Sequence, residues 1–429
     1  MKPIAPTILL LTAWISSVSG QTTLTLDECL LLARQHNVQL RVAENASHAA
    51  ALSRDELIST RLPQFQFEAS ALYAPSSGHF GYDPLITNSG QFAGQIAGKQ
   101  SLYDGGIRNL RLNQIGVDID LRGKEARVTE RDLTYSVKQA FIETLRAEQE
   151  IRLQTEGVTQ LVAYLERVKQ LSSAGNASTT DILKTQIQLS SAEISLHKSR
   201  ESYSAARYTL AEVIGTAIDT SFTVAGSLDD AVNSSTDTLL FGSEDSVGSV
   251  ELSMSALTIR RNQLDVELTR HELSPTVSLV GDAGLLTSRD NLRLPYDERG
   301  GILGYSVGLV LEVPFFNWGA TDLRVQQKES AGKILELQSE LLHRSIVAEL
   351  KKIRLSLTES RERLLMLHEN TKTAEENFLL TKSKYVAGGT LSLEVLSAQQ
   401  LLTDSKLLEL QTAADIHLMS AKMEQLLTY

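Results

Sequence analysis

The residues that most often carry chemistry are few in this chain and stand apart. Eight histidines are scattered over 429 residues, and none has the HExxH or CxxC-type spacing that gathers metal ligands. His271-Glu272 stands alone before Pro275. There is no GxxxxGK[ST] loop to cradle a phosphate and no GxSxG elbow to present a nucleophile. Cys29, the one cysteine, excludes an internal disulfide. It lies in LDECLLLA, inside a helical pattern, and reads as a buried structural thiol rather than a lipid-attachment site. Asn176-Ala177-Ser178 fits a glycosylation pattern, but in a tight turn it reads as turn chemistry. With no catalytic constellation, metal site or cofactor site to assemble, an enzyme is not expected.

The elements that hold these residues apart are long. From Gly105 to about Leu171 the chain reads as one helix, and no proline occurs between Pro84 and Pro275 to stop it. Apolar residues recur at alternating steps of three and four: Leu133, Val137, Ala140, Ala147, Ile151, Val158, Leu161, Leu165 and Val168. Thr144 and Gln154 are the breaks. That heptad seam calls for partner helices rather than a globular core. At about 1.5 Å per residue such a helix is roughly 100 Å long. Adding 213 along this ladder, its breaks included, reaches Ile346, Leu350, Ile353, Leu357, Leu364, Leu367, Ala374 and Phe378, with Ser360, Thr371 and Thr381 as the breaks, a second copy over 319–385.

The rest of the chain repeats around these two rods. A first helix over 25–61 ends at Pro63, and its counterpart ends at Pro275. Strands follow at about 64–74 and 91–103, and again at 276–286 and 302–316, each alternating with period two. Glycine-centred turns at Gly175 and Gly388 lead into return helices over 181–214 and 393–428. Between the halves, 215–248 is acidic and contains no Lys or Arg, with a short strand expected at 222–224. This divides the chain into a first repeat at 21–214, a connector at 215–248 and a second repeat at 249–429.

Composition agrees with long thin helical assemblies. Aromatics make up 5% of the chain. The formal charge is −11 with no large basic block, which argues against nucleic acid as a partner. Lys2, the apolar run 8–15 and the small residues 16–20 read as a secretory signal at 1–20. No later run is long and apolar enough for a spanning helix. The four strands are long enough to cross a bilayer when tilted. A soluble sheet packed on the helices is the alternative, though it leaves the rods without a purpose. In lipid the sheet must close, because each unpaired backbone group there costs several kcal/mol. One chain has too few strands to close, and three chains would enclose a passage. Phe65, Phe67, Tyr305, Val307 and Leu309 should then face lipid, opposite a face of Gly, Ser, Ala and Gln. Asp181 and Glu394 read either as first-turn helix acids after caps at Thr179 and Ser392 or as acidic rings at the pore mouth.

The duplicated layout resembles the TolC family of outer-membrane efflux proteins over nearly the whole mature chain. The resemblance is carried by Pro63 and Pro275 before strands, YDGG and FNWG before the rods, and AGNASTTDIL and AGGTLSLEVL at the turns. It implies a homotrimer in the outer membrane of a Gram-negative bacterium, extending into the periplasm. The fold would be mainly α with β: a long antiparallel α-helical coiled-coil barrel continuous with a twelve-stranded β-barrel. It implies the exit duct of a tripartite efflux or type I secretion system. The helical tip would dock a periplasmic adaptor (membrane fusion) protein and, through it, an inner-membrane pump or ABC exporter, with no cofactor. The connector would join a belt around the cylinder. Family members close the tip with a tyrosine three before the second glycine, a basic residue two after it, and acids six and nine after it. Tyr385, Gly388 and Glu394 match; Thr390 replaces the basic residue and Ser397 the second acid. The other candidate function is a periplasmic coiled-coil adaptor or structural protein with no transmembrane barrel.

Overall fold

The computed structural model describes residues 23–73, 76–77, 80–81, 90–215, 222–228, 249–288 and 302–427. The expected signal at 1–20 and most of the connector lie outside the described residues.

In chain order the elements are β1 (Thr23–Leu24), α1 (Leu26–His36), α2 (Val38–Ser59), β2 (Gln64–Tyr73) and β3 (Gly90–Tyr103). Then come α3 (Ile107–Ser173), α4 (Thr179–Ile214), β4 (Thr223–Val224) and α5 (Val250–Arg270). A 3-10 turn, His271–Leu273, leads to β5 (Thr276–Ser288), β6 (Ile302–Glu312), α6 (Ala320–Val386) and α7 (Ser392–Leu427). Both long helices have 67 residues and both return helices have 36, so the duplication read from spacing recurs in element length. Among the described residues, no helix is long and apolar enough to cross a membrane.

The chain divides into two compact units. Of the described residues, one holds 23–37, 133–215, 222–228 and 353–425, and in it the seam is buried. Val137, Ala140, Ala147, Leu161, Leu165 and Val168 of α3 are covered, as are Ile353, Leu357, Leu364, Leu367, Ala374 and Phe378 of α6. The break Thr144 is covered as well, and its Oγ1 donates to the Ala140 carbonyl at 2.7 Å, so the polar group is satisfied inside its own helix. β4 pairs in parallel with β1, which gives the short connector strand expected at 222–224 a partner. Cys29 is fully buried, and desolvation pushes its thiol up to about 11.

The first helix is not continuous. Asn37 takes φ −67°, ψ 124° and separates α1 from α2. Its side-chain amide donates to the Val213 carbonyl at 3.3 Å, at the end of α4. There Gly215 turns left-handed at φ +71°, and a Cβ on it would meet the His36 carbonyl oxygen at 3.0 Å. The break lets two chain segments pass, a long-range demand that helical periodicity does not record.

The other unit holds the described residues of 38–132, 249–352 and 426–427, including one four-stranded sheet in the order β2-β3-β5-β6, antiparallel throughout. The register sets two different faces. One row runs Phe65, Gly98, Gly281, Val307; the next runs Phe67, Ile96, Ala283, Tyr305. The opposite face carries rows Gln66, Ala97, Asp282, Ser306 and Glu68, Gln95, Gly284, Gly304. β6 ends at Glu312 rather than at 316. Glu312 pairs with Thr276, and the residue before Thr276 is Pro275, which has no N–H to extend the ladder.

The corners from strand to long helix repeat too, with one difference. Gly105 and Gly106 have φ +67° and +85°. A Cβ on Gly105 would lie 2.2 Å from the Ser274 Cβ, so this corner requires glycine. At the matching positions Trp318 and Gly319 have φ +59° and +77°. Trp318 therefore holds a left-handed conformation against its own side chain, at about 1–2 kcal/mol.

Candidate functional site

The two helix turns are built alike, 213 residues apart. Gly175 and Gly388 take φ +80° and +76° in open space. Gly175 N donates to the Ser172 carbonyl at 3.0 Å and Asn176 N to that of Leu171 at 2.8 Å. Gly388 N donates to the Tyr385 carbonyl at 3.0 Å and Gly389 N to that of Lys384 at 2.9 Å. This is a glycine helix stop in which a left-handed residue closes the last carbonyls.

The return helices start differently. Ser178 caps α4 in a reciprocal box with Asp181, whose carboxylate receives the Ser178 N–H at 3.0 Å. Thr179 is thus the first helical residue and not the cap. In the second turn the position of Ser178 is held by Leu391, which has no oxygen to offer. Thr390, one residue earlier, donates its hydroxyl to the Glu394 carboxylate instead. The residue standing where family members carry a base therefore holds the acid by a hydrogen bond. Glu394 itself is exposed.

Ser392, the other expected cap, does something else. It is buried, and its Oγ accepts from the Tyr164 hydroxyl of α3 at 3.1 Å. Tyr385 packs beside Tyr164, with ring centroids 5.5 Å apart at 56°. Both rings sit among Leu161, Val168, Phe378, Val395, Leu396 and Leu402. Burial raises both phenol pKa values, and the Asp181 charge adds to this, so both hydroxyls remain protonated donors. The Tyr385 hydroxyl is buried without a hydrogen bond of ordinary geometry. Further along, Gln399 of α7 donates to the Gly157 carbonyl of α3 at 3.1 Å. Sequence spacing missed the Tyr164–Ser392 link. The available signal was a tyrosine three residues past Leu161, on the seam side, where a polar group needs a partner.

The strand residues singled out from spacing share one face. Phe65, Phe67, Tyr305, Val307 and Leu309 are each at least 69% exposed in the single chain. The Phe65 ring lies over Gly98, 3.0 Å from where a Cβ would be. On the other face Gln66 and Gln95 donate to the two Glu68 oxygens at 2.5 and 3.1 Å, and Ser306 donates to Asp282. Among the described residues no group of three or more His, Cys, Asp or Glu is placed to hold a metal ion.

Comparison with known proteins places this architecture. The family model described as Outer membrane efflux protein matches residues 30–216 and 247–428. Proteases secretion protein PrtF of Dickeya chrysanthemi is 23% identical over 280 residues, covering 63% of this chain and 58% of that protein. The alignment thus spans little more than half the length of that relative. Among solved structures, a membrane protein from Pseudomonas aeruginosa superposes with TM-score 0.77 at 15% identity, covering 94% of this chain and 93% of that one. The outer membrane protein VceC from Vibrio cholerae gives 0.74 at 14% identity, covering 94% and 95%. The outer-membrane channel OprN gives 0.74 at 16% identity, covering 94% and 89%. The TolC-type layout drawn from the motifs is therefore the fold of this chain, and by its match across both repeats the chain belongs to the outer membrane efflux protein family.

Proposed function

We propose that this chain is one of three identical subunits of an outer-membrane exit duct serving a tripartite efflux or type I secretion system. The observation that carries this is the sheet: four antiparallel strands, one apolar face, one polar face and two open edges at β2 and β6. An open edge is not tolerated in hydrocarbon, so the strands must continue into other subunits. Three copies give twelve strands, enough to leave a water-filled interior lined by Glu68, Asp282 and the neighbouring Gln, Gly and Ser. Phe65, Phe67, Tyr305, Val307 and Leu309 then face lipid. The two repeats, 21–214 and 249–429, each supply one strand pair and one helical hairpin, and the connector 215–248 lies on the belt. The chain does no catalysis, and energy comes from an inner-membrane pump or ABC exporter through a periplasmic adaptor.

The periplasmic mouth is the turn cluster. Tyr164, Tyr385 and Ser392 tie α3 to the second hairpin within a protomer, while Glu394 and Asp181 line the entrance. Gly175 and Gly388 set the turns that meet the adaptor. The purified protein should have the mass of three chains in mild detergent and conduct in planar bilayers. A stable monomer, or release of the native protein with the soluble periplasm, would sink the duct and favour an adaptor-like role.

A further inference from the structure

We infer that α6 of one copy of this chain seats against α2 of the next copy, in the register that α3 and α5 adopt inside the chain, through a junction without ion pairs. This rests on the three-subunit reading and names the residues that join the copies. α3 and α6 correspond at an offset of 213, from Ile107 to Ala320. α2 and α5 correspond at 212, from Val38 to Val250 and on to Pro63 and Pro275. Corresponding residues should have similar surroundings, and on one face of each helix they do not. Val250 and Leu264 of α5 are 1% exposed, whereas Val38 and Leu52 of α2 are 68% and 54% exposed. Leu110, Leu121 and Val128 of α3 are half-buried, whereas Leu323, Ile334 and Leu341 of α6 are exposed.

The order of the helices accounts for the difference. α5 lies between α3 and α6: Arg261 reaches Asp118 of α3 at 2.7 Å, and Arg270 reaches Glu329 of α6 at 2.6 Å. α2 lies on α3, where the two line a cavity of about 580 Å³. α2 and α6 are thus the ends of the row, as β2 and β6 are the ends of the sheet. Every copy presents both open faces, so in a closed ring the two meet head to tail. Three polar contacts set the α3–α5 register: Gln114 to Asp265 at 2.6 Å, Asp118 to Arg261 at 2.7 Å and Arg131 to Glu251 at 2.6 Å. Moved by one repeat they become Gln327 to Ser53, Ala331 to Ala49 and Arg344 to Gln39. Each new pair stays compatible: an amide meets a hydroxyl, two small residues meet, and a guanidinium meets an amide oxygen. The acids are gone from all three pairs, which leaves the covering of Val38, Leu52, Ile334 and Leu341 to hold the copies together. A lipid surface or an unrelated protein would not call for three matched pairs in one register.

The test uses the full chain in outer membranes. A variant with Ser53→Cys and Gln327→Cys should link between chains on mild oxidation and run as dimers and trimers. The parent, whose Cys29 is buried, should not link. Gln39→Arg sets two guanidinium groups against each other across the junction and should remove most of the heat-stable trimer. Adding Arg344→Glu to the same chain should restore it. The junction is overturned by a link within one chain, a link to a different protein, or no link at all. A double variant no better than Gln39→Arg alone overturns it as well. In each of those cases a parent mass of three chains in detergent would leave the duct standing with a different seam. A monomeric parent would remove the duct and the junction together.

Discussion

A hydroxyl buried between helices is worth little while it is paired and costs much once its partner is lost. The net value of one hydrogen bond is about 0.5–1.5 kcal/mol, but stranding a buried oxygen costs about 1–3 kcal/mol. Tyr164 and Ser392 are both in that position, joined at 3.1 Å across 228 residues of sequence. Tyr164→Phe should leave the trimer assembled but loosen the mouth, raising single-channel conductance. Ser392→Ala should do the same, and the double variant should add little to either single one. Conductance equal to that of the parent in all three would assign the pair to packing alone. Cys29 makes a separate residue-scale prediction. Its thiol is raised from an ordinary 9.0 to about 11 by burial. Below pH 9 both folded and unfolded chains carry the neutral thiol, so it adds no pH dependence. Between about 9 and 11 only the unfolded chain ionises, so folding stability falls as pH rises. Maleimide labelling at pH 8 should accordingly be slow in the native protein and fast in urea. Rapid native labelling would contradict the buried site.

At the scale of the helix, the two return helices differ at one seam position. Leu196 is buried in α4, whereas its counterpart in α7 is Glu409, whose carboxylate pairs with the exposed His368 at 2.9 Å. Beside this pair lies a cavity of about 710 Å³ lined in part by Leu153, Leu228, Leu364, Leu365 and Leu410. A hydrogen bond to so exposed a partner contributes at most about 1 kcal/mol. Burying a leucine contributes about 1.5–3 kcal/mol when complete. Glu409→Leu should therefore stabilise the helical part by about 1 kcal/mol, seen as a higher melting temperature in detergent. A lower melting temperature would show that the His368–Glu409 hydrogen bond or the cavity matters more than seam filling.

For the whole molecule the decisive quantity is closure of the sheet across subunits. The apolar face is exposed in a single chain, and lipid is what would cover it. Replacing Val307 or Leu309 with Arg should cost about 2–4 kcal/mol if the position lies near the bilayer midplane. Both variants should lose heat-stable trimer and outer-membrane fractionation while the helices keep their circular-dichroism signal. Normal assembly of both would remove the barrel. The same view bears on the proposed mouth: if the turns close it, with Thr390 hydrogen-bonded to Glu394 in place of a basic residue, that closure would rest on hydroxyls and packing, which salt screens little.

What this sequence determined by itself follows from period and repetition. A step of three and four over Val137 to Val168, repeated 213 residues later, sufficed for two long seam-forming helices. Strict alternation from Phe65 to Tyr73 and from Tyr305 to Leu311 sufficed for strands with opposite faces. Both patterns are local, because a residue's direction follows from its place in its own helix or strand. Only the tertiary structure decided the break at Asn37, the stop of β6 at Glu312, the role of Ser392 and the exposure of Trp318. The first three depend on a neighbour far away in sequence: Val213 and Gly215 for Asn37, Pro275 for β6, Tyr164 for Ser392. A serine before a helix looks the same whether it caps that helix or receives a distant tyrosine. Which helix lies beside it is settled by the packing of the whole seam.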